Sequence, residues 1–151
     1  RGCLEALASD DAIVRRAREA IAAGQPTFLT QSSAQTLTVE AVVQAADHGD
    51  PLAQQLLAEA GRWLGIGIAN LVDVLNPHLV IVAGEGVRAG AWRIDPMREA
   101  ILEHSFNGLV DDLEIIIEPS GDEGWARGAA CVVLGKLFAS PLNEPVSGFL
   151  A

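Results

Sequence analysis

GRWLGIGIANLVDVLNPHLVIVAGEG, residues 61–86, reads as the end of a helix, a stop, a buried strand and a glycine turn. Leading into it, Leu56, Leu57, Ala60, Leu64, Ile68, Leu71, Val72 and Leu75 recur at intervals of three and four, the spacing that lines one face of a helix. That face is apolar throughout and is expected to be buried. Asp50-Pro51 is a start signal, a carboxylate cap before a proline whose missing N–H costs nothing in a first turn, and Asn76-Pro77 is a stop. Leu79 to Ala83 is a short unbroken apolar run, the pattern of a strand covered on both faces. Gly84-Glu85-Gly86 ends it where ligands lie in open α/β sheets.

Inside the long helix Gly61, Gly65 and Gly67 each cost roughly 1 kcal/mol relative to alanine, so close approach of another backbone or of a ligand must offset them, packing being the favoured reading. The spacing of Gly61 and Gly65 puts both on one side. Upstream, Ser9 caps a helix over residues 10–23 with Ile13, Ala17, Ala20 and Ile21 inward, while Arg15, Arg16 and Arg18 form a solvated outer face. Residues 25–37 are a polar connection. Thr38 caps a second short helix, with Leu37 and Val42 placed to staple it and His48-Gly49 closing it. Downstream, residues 87–94 are expected to be a loop and Asp95-Pro96 to start a helix reaching His104. Residues 113–118 alternate as an edge strand with Glu114 and Glu118 on one face. Residues 125–138 form a last helix with Ala126, Ala129, Ala130, Val133, Leu134 and Leu137 inward, and residues 141–151 a tail. Strands joined by a helical crossover imply a parallel pair, and two strands alone make no stable sheet, so the rest of the sheet is expected outside this sequence.

Composition narrows the function classes. A formal charge of −10 argues against direct contact with nucleic acid or an anionic membrane surface, which would need clustered Lys and Arg. No apolar stretch approaches the about 20 residues that span a bilayer. Cys3 and Cys131 are too few and too distant for a disulfide framework, in keeping with a cytoplasmic protein. Cys131 falls in an alanine-rich helix and reads as core. His48, His78 and His104 lack ligand-spaced partners, and the adjacent Asp122-Glu123 reads as a solvated turn. The sequence begins at Arg1, has its one methionine at Met97 and enters a motif-like stretch at once, so it reads as a fragment of a longer protein.

Three stretches together resemble the ROK family of repressors, open reading frames and kinases: Gly2-Cys3-Leu4-Glu5-Ala6, Asn76-Pro77 through Gly84-Glu85-Gly86, and Gly121-Asp122-Glu123-Gly124-Trp125-Ala126-Arg127-Gly128-Ala129-Ala130. The resemblance implies an α/β chain forming the C-terminal half of an actin-like ATPase (ribonuclease H-like) fold, with helices on a small, mostly parallel sheet. Residues 1–140 would belong to the sugar-binding, kinase-like domain. It implies that Cys3 is the last ligand of a zinc motif completed by residues outside this sequence, that Glu5 reaches a hydroxyl of a bound sugar, and that family members form homo-oligomers. The 151 residues alone are expected to hold no properly coordinated zinc.

The resemblance leaves two functions open. In a sugar kinase, Gly84, Glu85 and Gly86 would line the adenosine side of an ATP site, and the catalytic base would lie outside this sequence. In a sugar-responsive transcriptional regulator, DNA would be contacted only by a separate N-terminal domain. Family kinases carry paired glycines where this chain has Gly84-Glu85, and a carboxylate there opposes ATP phosphates. The ending, Trp125 onward through Leu137-Phe138, resembles the regulators', and the regulator is the favoured reading.

Overall fold

The computed structural model describes residues 2–31, 36–119 and 123–138. They fall into two compact units, Arg1–Pro119 and Ser120–Ala151, each taken here by itself.

The first unit runs α1 (Glu5–Ala8), α2 (Asp10–Ala22), a 3-10 turn (Phe28–Gln31), α3 (Val39–Asp47), α4 (Pro51–Leu75), β1 (Leu79–Ala83), a second 3-10 turn (Glu85–Ala89), α5 (Ala91–His104) and β2 (Glu114–Glu118). Side-chain oxygens set three of the helix starts. Ser9 accepts from the Ala12 amide at 3.1 Å, Thr38 from Ala41 at 3.4 Å and Asp50 from Ala53 at 3.0 Å, each satisfying an amide that has no partner within its helix. Asn76 ends α4 in the left-handed region at φ 44°, a conformation Asn tolerates better than most residues.

Two apolar clusters follow from this order. One gathers α2, α3 and the first half of α4 around Ile13, Val42 and Leu57, with Leu37 and Leu29 of the connection buried in it. The other gathers the second half of α4, α5 and the inner face of the sheet around Val72, Met97 and Ile101. Between α4 and α5 the backbones nearly touch. A Cβ on Gly61 would stand 2.2 Å from the Arg93 carbonyl oxygen, and one on Gly65 would stand 2.3 Å from that of Met97. Close helix contact is therefore what offsets the cost of these glycines.

Several expectations are corrected. α5 begins at Ala91, five residues before Pro96, inside the stretch expected to be a loop. Proline removes one helical hydrogen bond there. The gain is burial of Arg93, Ile94 and Met97, together with a bond from the Trp92 indole to Asp47 at 2.8 Å. β1 and β2 pair in parallel, Leu79 with Glu114 through Ala83 with Glu118, but only one face is covered. Val80, Val82, Ile115 and Ile117 face α4 and α5, whereas Leu79 and Ile81 are 44% and 60% exposed. Leu71 and Leu75 of the expected buried stripe are likewise exposed, since no described element of this unit packs over them.

In the second unit α6 (Glu123–Leu137) is a single helix. Ala126, Ala129, Ala130, Cys131, Val133, Leu134 and Leu137, expected to face inward, are exposed, since among the described residues of this unit no second element packs on the helix. The boundary at 140/141, the tail and residues 120–122 of the turn lie outside the described residues. Among the described residues no helix is long and apolar enough to cross a membrane.

Candidate functional site

The glycine turn leaves β1 through Gly84 at φ 104° and ψ −176°, a conformation that L side chains rarely adopt. The chain then coils as the 3-10 turn, buries Val87 and Ala89, and enters α5 through Gly90 at φ 61°. Glu85 is exposed at the start of this coil. A cleft of about 180 Å³ opens beside it, walled on one side by Val39, Glu40 and Val43 of α3 and on the other by Glu85, Gly86 and Arg88, with Asp10 at its edge. Three carboxylates thus face one guanidinium. A backbone hydrogen bond, then the Thr38 hydroxyl, hold the Glu40 carboxyl below its ordinary range against a small opposing effect of burial, with the nearby Arg88 charge adding to the lowering.

Glu5 stands exposed at the first position of α1. Its carbonyl accepts from the Ser9 amide at 3.0 Å, closing the single turn of this short helix. Cys3 is exposed and its thiol points to the Glu5 carboxylate, Sγ to Oε2 at 3.9 Å. One thiolate and one carboxylate do not fill a four-coordinate zinc shell. Among the described residues no group of three or more His, Cys, Asp and Glu is placed to hold a metal.

The two regions meet through Arg93, in the stretch expected to be a loop. Arg93 is 7% exposed. Its Nη1 donates to Asp10 Oδ1 at 2.8 Å and to the Gly86 carbonyl at 3.3 Å, and its Nη2 donates to the Ala8 carbonyl. A Cβ on Gly86 would lie 2.6 Å from Nη1. Gly86 is therefore small to admit a guanidinium of its own chain, whatever else the turn accommodates. No motif marks Arg93. Its position becomes visible only once α5 is known to start before it. Leu4 supplies a second anchor, its side chain lying where a Cβ on Gly67 would be 2.7 Å away.

Comparison with known proteins covers nearly the whole sequence. The ROK family profile matches residues 1–136. The xylose repressor of Caldicellulosiruptor bescii is 26% identical over 141 residues, which are 93% of this chain and 35% of the repressor. The glucokinase of Thermotoga maritima is 28% identical over 139 residues, 91% of this chain and 44% of the enzyme. Among solved structures, a ROK family transcriptional regulator homologous to the E. coli MLC protein superposes with a TM-score of 0.76 at 30% identity, covering 87% of this chain and 33% of its own. A ROK family glucokinase from Streptomyces griseus, in complex with glucose and AMPPNP, gives 0.71 at 28% identity, covering 87% and 44%. The chain thus spans between a third and a half of each of these relatives. Its helices and small parallel sheet are part of an actin-like ATPase fold, and the chain belongs to the ROK family.

Proposed function

We propose that this chain is the C-terminal, sugar-sensing part of a cytoplasmic, homo-oligomeric ROK transcriptional regulator. It would meet DNA only through a separate N-terminal domain. In this reading Glu5 accepts a hydrogen bond from a sugar hydroxyl at the exposed start of α1, and Cys3 is one ligand of a zinc completed by residues outside the 151. The sugar class is that of the relatives, which include repressors named for xylose and for N-acetylglucosamine.

The observation that carries the regulator over the kinase is the glycine turn. An ATP site needs its turn to be bare and its surroundings to neutralise phosphate charge. Here Glu85 occupies the middle of the turn, Glu40 shares its cleft with a single free-standing guanidinium, that of Arg88, and the Arg93 guanidinium is spent on Asp10 and two carbonyls. Carboxylates beside the turn repel phosphate charge. The alternative, an ATP-dependent sugar kinase, draws on the glucokinases among the relatives.

The test is made on the full-length protein. Titration with D-xylose, D-glucose and N-acetylglucosamine should show saturable binding of one of them, with roughly tenfold loss in Glu5→Ala. AMPPNP should not bind, and no sugar phosphate should form with ATP. Sugar-dependent phosphoryl transfer at ordinary kinase rates would replace the regulator with the kinase, and unchanged sugar affinity in Glu5→Ala would remove Glu5 from the site.

A further inference from the structure

We propose that Arg93 is a positioning residue whose guanidinium fastens the Glu5-bearing helix to the glycine turn, so that the two regions of the candidate site hold one geometry. The fastening stands on the Arg93 hydrogen bonds alone; its consequence for sugar rests on the reading of Glu5 given above.

The two segments are far apart in sequence, and Arg93 reaches both. The Ala8 carbonyl is the last of α1, and the carbonyls at a helix end lack partners within the helix. Arg93 supplies one. The Gly86 carbonyl belongs to the turn, and the Asp10 carboxylate to the first turn of α2, directly after the junction. Arginine suits this place because its planar fork presents several donors at fixed angles, whereas an ammonium is a single point charge. The cost is visible too. Nε is buried without a hydrogen-bond partner among the described residues, and such a donor destabilises the fold. A side chain that served only to fill space would carry no such penalty.

The anchor is referred to a rigid frame. The backbone carbonyl of Arg93 lies against Gly61, where no Cβ would fit, so the root of the side chain is held on α4. Leu4 rests on Gly67 of the same helix. Glu5 therefore sits between two supports taken from α4, the Leu4 side chain before it and the Arg93 bond to Ala8 after it. Loosening either support moves the carboxylate, and loosening Arg93 also frees the turn.

Amide hydrogen exchange on the full-length protein tests the fastening. In Arg93→Met, exchange at residues 5–10 and 84–87 should accelerate together, by about tenfold, while residues 51–60 of α4 stay as they were. Acceleration at one segment without the other overturns the proposal. Should Arg93→Met loosen the whole fold, Gly86→Ala decides instead, because its Cβ would press on Nη1 without removing the arginine. Gly86→Ala should loosen residues 5–10, and should add nothing further in an Arg93→Lys background, where the fork is gone. Additive effects would mean that Gly86 and Arg93 act separately. The sugar arm uses D-xylose, D-glucose and N-acetylglucosamine. Arg93→Met should weaken the bound sugar about tenfold, but less than about twofold when Glu5 is already alanine. If Glu5→Ala alone changes nothing, the sugar reading falls and the exchange result still decides the fastening.

Discussion

Asp50 is wholly buried and carries a charge. Burial pushes its carboxyl upward, yet the Thr27 hydroxyl at 2.6 Å and the amides of Ala53, Phe28 and Leu52 outweigh it and hold the group below the ordinary Asp range. The sign of its effect on stability follows. A depressed folded value means that the stabilisation is complete above the unfolded value of about 3.9 and is lost as pH falls through the folded value. Asp50→Ala removes the α4 cap and the acceptor of the Thr27 and Phe28 hydrogen bonds, and should cost about 2–4 kcal/mol by urea unfolding at neutral pH. Asp50→Asn, which keeps an acceptor and loses the charge, should cost less and flatten the acid limb of stability below about pH 4. An unchanged acid limb would show that another carboxylate governs it. The capping half of this was legible in Asp50-Pro51. The second half was not, because Thr27 and Phe28 lie more than twenty residues away in a stretch that reads only as a polar connection. Arg93 was hidden for the same reason: its acceptors are two backbone carbonyls and an aspartate far off in the chain, and backbone atoms leave no mark in a sequence.

At the scale of elements, α4 and α5 carry most of the order of the first unit, and their contact is set by glycine. Gly61→Ala and Gly65→Ala would each gain roughly 1 kcal/mol of helix propensity. Each would also drive a methyl into a backbone carbonyl at 2.2 or 2.3 Å, which only separation of the helices can relieve. Overpacking of this kind costs about 1–3 kcal/mol or more, and since here it opposes backbone, both variants should be net destabilised by at least about 2 kcal/mol in urea. Gly128→Ala in α6, where an added Cβ meets nothing within 4 Å, is the control and should gain helix content by circular dichroism. A neutral Gly61→Ala would mean that the helices part easily. The pattern of α4 and both strands could be read because apolar period and turn residues agree there. The start of α5 could not, because Asp95-Pro96 repeats the signal of Asp50-Pro51 while tertiary burial of Arg93 and Ile94, with Trp92 partly buried beside them, extends the helix back past it.

Taken as a whole, the first unit has a sheet with one dry face and one wet face, and the wet face is not polar. Leu79, Ile81 and Ile116 lie on it in register, Ile81 opposite Ile116, with Glu114 and Glu118 the only charges along the strands. Five-residue strands made of such residues would ordinarily be covered on both sides, as the unbroken apolar run of β1 led one to expect. No described element of this unit covers that face. Exposed apolar area of this kind promotes association. The 151-residue chain should therefore bind the dye ANS and sediment as a concentration-dependent mixture. Ile81→Thr with Ile116→Thr keeps the β-branched shape that suits a strand while making the face polar, and should lower both dye binding and association without loss of the far-ultraviolet spectrum. If the double threonine variant associates as the parent does, the sticky surface lies elsewhere, and the exposed Leu71, Val74 and Leu75 at the end of α4 become the ones to change.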